Sequence, residues 1–142
     1  MSQRVVVDAS VVVGWLLGED TAFELARPVL EVLKSARMLV PAIWQSEIAN
    51  VLVVRERQKR IDEATFTRSI RLLEDLGPEV DILSATAIFD RVVPLARRHQ
   101  LTSYDAAYLE LALRERAPLA TFDAALSRAA EREGVETLLR RP

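Results

Sequence analysis

Short apolar runs alternate with stretches of helical periodicity along the whole chain, and this alternation limits its fold more than any other feature. Arg4 to Asp8 (RVVVD) reads as a first strand, with Val5, Val6 and Val7 apolar on both faces. RMLVP, EVDIL and PLAT read as the second, third and fourth strands, and VETLL as a weak fifth. Helices fill the intervals. SVVVGWLLGED is a short one closed by Gly18, and Thr21 to Ser35 follows, with Thr21 as cap and Glu24 three residues on. Ala42 to about Gln58, Asp62 to Leu76 and Ser84 to His99 are helical, the second ending at the Gly77–Pro78 turn. Another helix starts at Thr102 or Ser103, and a last one runs from Asp123 to Gly134. Pro28 and Pro94 predict kinks or breaks, because a proline inside a helix removes a hydrogen bond. The pattern predicts an α/β fold, with a mostly parallel sheet and helices on both faces. Sites in such sheets lie beyond the carboxyl ends of the strands. Asp8 ends one strand, and Thr121 and Asp123 follow another.

A length of 142 residues, half of them hydrophobic, suits one domain spanning 1–142. There is no cysteine, which removes disulfides, thiolate zinc sites and cysteine nucleophiles. No apolar run approaches the ~18 residues that span a membrane. Asp8 interrupts the N-terminal apolar stretch, so a signal peptide is not expected and a cytoplasmic protein is. The net charge of −2 excludes a basic field over the whole molecule, though not a local basic patch.

Four acids carry the chemistry to be weighed. Asp8 reads either as a cap for the helix that follows or as a site residue at a strand end. Glu47 falls one turn after Ile43 and one before Val51, inside the apolar stripe of its helix. A carboxylate there needs a proton, a partner or a metal, unless it lies at the rim or pairs with an arginine. Asp105 sits in the first turn of an apolar helix, where the helix dipole favours an acid. Asp123 reads as a helix cap or a site residue. Asn50 and Thr121 are polar neighbours that carry no message alone. Gathered in one crevice, these carboxylates would repel one another, and a divalent cation removes that cost. An all-oxygen donor set points to Mg²⁺ or Mn²⁺.

The segments VVVDASVVVGWLL, VPAIWQSEIANVL, LTSYDAAYLELA and LATFDAAL, in this order, resemble the PIN-domain family and, within it, the VapC-type toxins of bacterial toxin–antitoxin pairs. TSYDAAYLELA is the most specific of them. The resemblance implies a three-layer α/β/α PIN-like fold with a sheet in the order 3-2-1-4-5. It assigns Asp8, Glu47, Asp105 and Asp123 to a metal-binding catalytic site, supported by Ser10, Asn50 and Thr121. It further implies Mg²⁺- or Mn²⁺-dependent endoribonuclease activity, a homodimer, and a cognate antitoxin as partner.

The expected reaction is in-line hydrolysis of an RNA phosphodiester, with metal-activated water making a histidine base unnecessary. The one histidine, His99, reads as a surface residue at a helix end, where a cation suits the dipole. Arg55, Arg57, Lys59 and Arg60 form a basic cluster that contacts phosphates or is simply a solvated helix face. Arg97 and Arg98 form a second one. The helix bearing Trp15, Leu16 and Leu17, and those near Phe23 and Leu72, supply either a dimer face or core. Three other readings are weighed beside the nuclease. A haloacid-dehalogenase-like phosphatase also begins with a strand-end Asp, but position 10 is serine and the two lysines, Lys34 and Lys59, fall in helices. A phosphoryl-receiver domain fails on the same missing strand-end lysine. The non-enzymatic alternative is a PIN-like module that only binds RNA or a partner.

Overall fold

The computed structural model describes residues 3–18 and 20–139. The elements are β1 (Gln3–Val7), α1 (Ala9–Leu17), α2 (Asp20–Leu33), β2 (Ala36–Pro41), α3 (Ile43–Arg57), α4 (Glu63–Leu76) and β3 (Glu79–Asp81). After them come α5 (Ala85–Ala87), a π-helical turn (Ile88–Val92), α6 (Val93–His99), α7 (Ser103–Glu115), β4 (Leu119–Ala120) and α8 (Ala124–Arg132).

The sheet order is β3-β2-β1-β4, and every pairing is parallel. Val5, Val6 and Val7 of β1 are all 0 % exposed. Successive strand residues face opposite sides, so both faces of this central strand are covered, as a parallel sheet flanked by helices requires. The expected fifth strand is reduced to one parallel bridge between Leu119 and Thr137. Two hydrogen bonds make it, from Leu119 N to Glu136 O and from Leu138 N to Leu119 O. β4 is only two residues long and gives a neighbour little to pair with. The order 3-2-1-4-5 therefore survives as a four-stranded sheet with a rudiment in fifth place.

The helices differ from expectation at their prolines and caps. α2 starts at Asp20, so Thr21 lies inside it and does not cap it; residue 19, which precedes it, is outside the described residues. Pro28 neither splits nor ends α2. Near Pro94 the chain widens into the π-helical turn Ile88–Val92. A proline cannot donate to the carbonyl four residues back, and a π turn absorbs that loss without ending the helix. α4 ends at Gly77 with φ of 53°, the left-handed conformation that glycine adopts without cost. The packing holds the carboxyl ends of β1 and β4 side by side, with α3 and α7 beside them, each contributing buried side chains such as Ile48, Leu52, Tyr108 and Leu109 to the common core.

Candidate active site

β1 stops at Val7 because the chain turns into α1 at the next residue. Asp8 occupies the N-cap position of α1 with an extended backbone, yet its side chain makes no capping hydrogen bond. The cap reading of Asp8 is therefore set aside. Its backbone N–H donates to Ala120 O, which locks the ends of β1 and β4 together and brings Thr121 alongside. The hydroxyls of Ser10 and Thr121 both donate to Asp8 Oδ2, each at 2.7 Å. Each hydroxyl also accepts a backbone N–H, Ser10 from Phe122 at 3.1 Å and Thr121 from Asp123 at 3.0 Å. An occupied lone pair leaves the hydroxyl proton to point at the carboxylate. Two backbone amides are thus relayed through two hydroxyls onto one carboxylate oxygen, and Asp8 is held in a single orientation while only 4 % exposed.

Asp123 does cap its helix, its Oδ1 accepting from Leu126 N at 2.8 Å. Its second oxygen is not used by that bond. Asp105 is not a cap. Thr102 fills that role, its hydroxyl accepting from the Asp105 N–H at 3.1 Å, which leaves the Asp105 carboxylate free of capping duty.

Glu47 lies on α3, half-buried between the solvated and packed faces. Tyr108 of α7 donates its hydroxyl to Glu47 Oε1 at 2.8 Å. Tyr108 is fully buried. It stands three residues after Asp105, on the same face of α7, so one helix supplies both an acid and the group that holds another acid. Sequence reasoning assigned no role to Tyr108. The signal was its helical spacing from Asp105 within TSYDAAYLELA, legible only once α3 was known to face α7.

The electrostatics tie the acids to one another. Asp8 is pushed above its usual range, chiefly by burial, against the Thr121 and Ser10 hydrogen bonds and with help from the Asp123 charge. Glu47 is raised by burial and by the charges of Asp8 and Asp105, against its bond from Tyr108. Asp105 is raised by burial, then by Asp123 and Asp8. The Tyr108 hydroxyl is pushed far up by burial and by Asp8 and Glu47, so it stays a donor. No arginine or lysine is among the causes of these shifts. The charged groups that act on these acids are other carboxylates: Asp123 on Asp8, Asp8 and Asp105 on Glu47, and Asp123 and Asp8 on Asp105.

Among the described residues, no group of three or more His, Cys, Asp and Glu is placed so that it could hold a metal ion. In donor type and charge the four acids nonetheless fit a hard divalent cation, since all donors are oxygen and burial already disfavours their charges. Mg²⁺ keeps several waters and needs few protein carboxylates, so it does not require a closed cage.

The other predicted residues are placed as follows. Asn50 is exposed on α3 and makes no side-chain hydrogen bond to the site among the described residues. Arg55 is partly buried, Arg57, Lys59 and Arg60 are exposed, and none forms an ion pair among the described residues. Trp15 packs on the core and donates Nε1 to Ala26 O at 2.8 Å, joining α1 to α2, with Leu16 and Leu17 also packed inward. Phe23 and Leu72 remain exposed. His99 is not the surface residue expected: its side chain is 6 % exposed, covered at the end of α6 and bonded to Glu133 Oε1 at 2.7 Å, away from the acids. Among the described residues, no helix is long and apolar enough to cross a membrane.

The PIN domain family model matches residues 5–132, and the chain belongs to that family. This removes the haloacid-dehalogenase-like reading, in agreement with Lys34 paired to Glu31 at 2.7 Å and Lys59 just past α3, neither at a strand end. No curated protein matches the sequence. Among solved structures, the chain is similar to PAE2754 from Pyrobaculum aerophilum, with TM-score 0.68 and 21% identity over 95% of this chain and 83% of the other. It is also similar to the Sarcin-Ricin loop cleaving toxin VapC20 of Mycobacterium tuberculosis, at TM-score 0.65 and 16% identity over 88% and 94% of the two chains. A third likeness is to a toxin–antitoxin complex from Klebsiella pneumoniae, at TM-score 0.61 and 20% identity over 84% and 86%. At these identities the likeness is one of fold.

Proposed function

We propose that this chain is a Mg²⁺- or Mn²⁺-dependent endoribonuclease, the toxin of a toxin–antitoxin pair that acts in the cytoplasm. The observation that carries this reading is the crevice at the carboxyl ends of β1 and β4, where Ser10 and Thr121 fix the buried Asp8 carboxylate, Tyr108 holds Glu47, and Asp105 and Asp123 stand on the neighbouring helices. A pure binding module has no use for acids held in this way, and a nuclease does. The PIN family match and the neighbouring folds support it.

When bound, the cation supplies a water that ionises near neutral pH and neutralises charge on the phosphate. Asp8, Glu47 and Asp105 would hold it, and Asp123 would hold it or orient the attacking water. Ser10 and Thr121 keep the Asp8 carboxylate in one orientation, as Tyr108 does for Glu47. The Arg55–Arg60 end of α3 meets the RNA phosphates, which makes binding salt-dependent. The antitoxin is the partner that keeps the site inactive. A homodimer completes the proposal. Ile82, Phe89 and Tyr104 are 80, 68 and 59 % exposed, and large apolar side chains left in water suit a second copy.

The test is incubation of total cellular RNA with purified, antitoxin-free protein, with Mg²⁺, with Mn²⁺ and with chelator, beside Asp8→Asn. Discrete metal-dependent fragments that vanish in the variant support the reading. Equal cleavage by both proteins overturns it.

A further inference from the structure

A cavity of about 510 Å³ opens beside the crevice, among α1, α2 and the end of α3. Ser10 and Phe122 line it, the two residues joined by the bond that feeds the Asp8 relay. Leu17 and Leu25 give it apolar wall, and Arg55 and Arg60 line it as well. Among the described residues, no carboxylate does. A second cavity, of about 620 Å³, adjoins it and shares Arg60, but there Lys59 and Arg68 meet Glu56 and Asp62. The first cavity is therefore lined by two arginines, of which Arg60 also borders the cavity that holds Glu56 and Asp62. Arg57 lines neither. Of the four basic residues at this end of α3, two line the cavity that reaches Ser10 and Phe122.

The Phe122 ring is part of the same design. A side-chain carbon placed on Gly14 would stand 3.3 Å from the ring, so glycine at that position lets α1 lie against it without displacing it. Phe122 is also tethered by its own backbone N–H to Ser10 Oγ. An aromatic ring fixed between Thr121 and Asp123, on the wall of a basic cavity, has the chemistry of a base-stacking platform.

We infer that this cavity holds the nucleotide adjoining the scissile phosphodiester of a single-stranded RNA, its base on Phe122 and the apolar wall and its phosphates on Arg55 and Arg60. The inference rests on the RNA-cleaving reading above and adds which cavity and which residues take the adjoining nucleotide. A base inside a duplex is stacked and paired, and entering a pocket costs it both interactions. Apolar and aromatic walls stack any base and read no hydrogen-bond code. Selectivity at this subsite is therefore for an unpaired nucleotide, with little preference among the four bases.

The test uses a fluorescein-labelled, fully 2′-O-methylated oligouridylate of about eight nucleotides, a length within the usual single-strand site size. Its binding is followed by fluorescence anisotropy across a salt series. Arg55→Ala with Arg60→Ala should weaken binding at least ~10-fold and lower the salt slope by about 1.4, the share of two phosphates on a single strand. Leu25→Glu, at an exposed position, places a carboxylate before the phosphates and should weaken binding several-fold with the fold intact by circular dichroism. Arg37→Ala, at the amino end of β2 and so at the opposite end of the strands from the acids, should change nothing. The same strand annealed to its complement should bind much more weakly. Unchanged affinity and slope in the double variant, or equal binding of the duplex, overturns the inference and leaves the RNA reading standing. No binding by the unaltered protein overturns both.

Discussion

Replacing Thr121 by valine keeps the shape of a buried side chain and deletes one oxygen. Thr121 is 5 % exposed, so no water can take the place of that oxygen cheaply. Two hydrogen bonds go with it, the 2.7 Å donation to Asp8 Oδ2 and the 3.0 Å acceptance from the Asp123 N–H. A hydrogen bond to a charged group contributes about 1.5–3 kcal/mol. The partly buried Asp123 amide, left without an acceptor, adds about 1 kcal/mol, the low end for an orphaned group. The loss should be about 3 kcal/mol, a large part of the ~5–15 kcal/mol that a domain holds in total. For a chain of this length that is a fall in melting temperature of about 10 °C. Thr121→Ser keeps the oxygen and loses one methyl group, which costs about 1 kcal/mol. Urea titration of both variants at a common slope isolates the hydroxyl. Equal stability of the valine and serine variants would refute the relay as a source of stability.

Three further outcomes follow from the same geometry. Asp8, Glu47 and Asp105 have folded-state pKa values raised above the unfolded ones, so their favourable contribution is complete below the unfolded carboxylate range and is lost as pH rises through the raised values. Metal-free Asp8→Asn should therefore melt above the unaltered protein at pH 8, and that gain should vanish near pH 4; a constant difference in thermal scans would contradict the desolvated carboxylate. Tyr108→Phe removes only the hydroxyl that holds Glu47, and loss of such a supporting bond should lower RNA cleavage about 10- to 100-fold with the secondary structure unchanged by circular dichroism. Phe89→Asp, at a 68 % exposed position, should shift sedimentation from dimer to monomer without loss of fold, and an unchanged sedimentation coefficient would exclude this face.

Much of this arrangement is legible in local patterns because the causes are local. Three consecutive valines announce a strand covered on both faces, and Asp8 after them marks the strand end. Thr102 three residues before Asp105 is a cap signature, and it freed Asp105 for another task. What the sequence hides depends on partners distant in the chain. Asp8 looks like a cap from its position, yet its oxygen goes to Thr121, 113 residues away. Tyr108 reads as core until α3 brings Glu47 to it across 61 residues. Pro28 and Pro94 carry the same local warning but meet different outcomes, continuation in α2 and a π turn before α6, because surrounding packing decides how a lost hydrogen bond is absorbed. VETLL has the composition of a strand, but its neighbour β4 is too short to pair it beyond one bridge.

One divalent-cation site shared by the four acids is what the proposed function requires. Calorimetric titration of Mn²⁺ into metal-free protein, beside Asp8→Asn and Asp105→Asn, tests it without reference to any RNA. The account predicts saturable binding that each substitution weakens at least ~10-fold. Binding of equal strength in all three proteins, or none in the unaltered one, would contradict it.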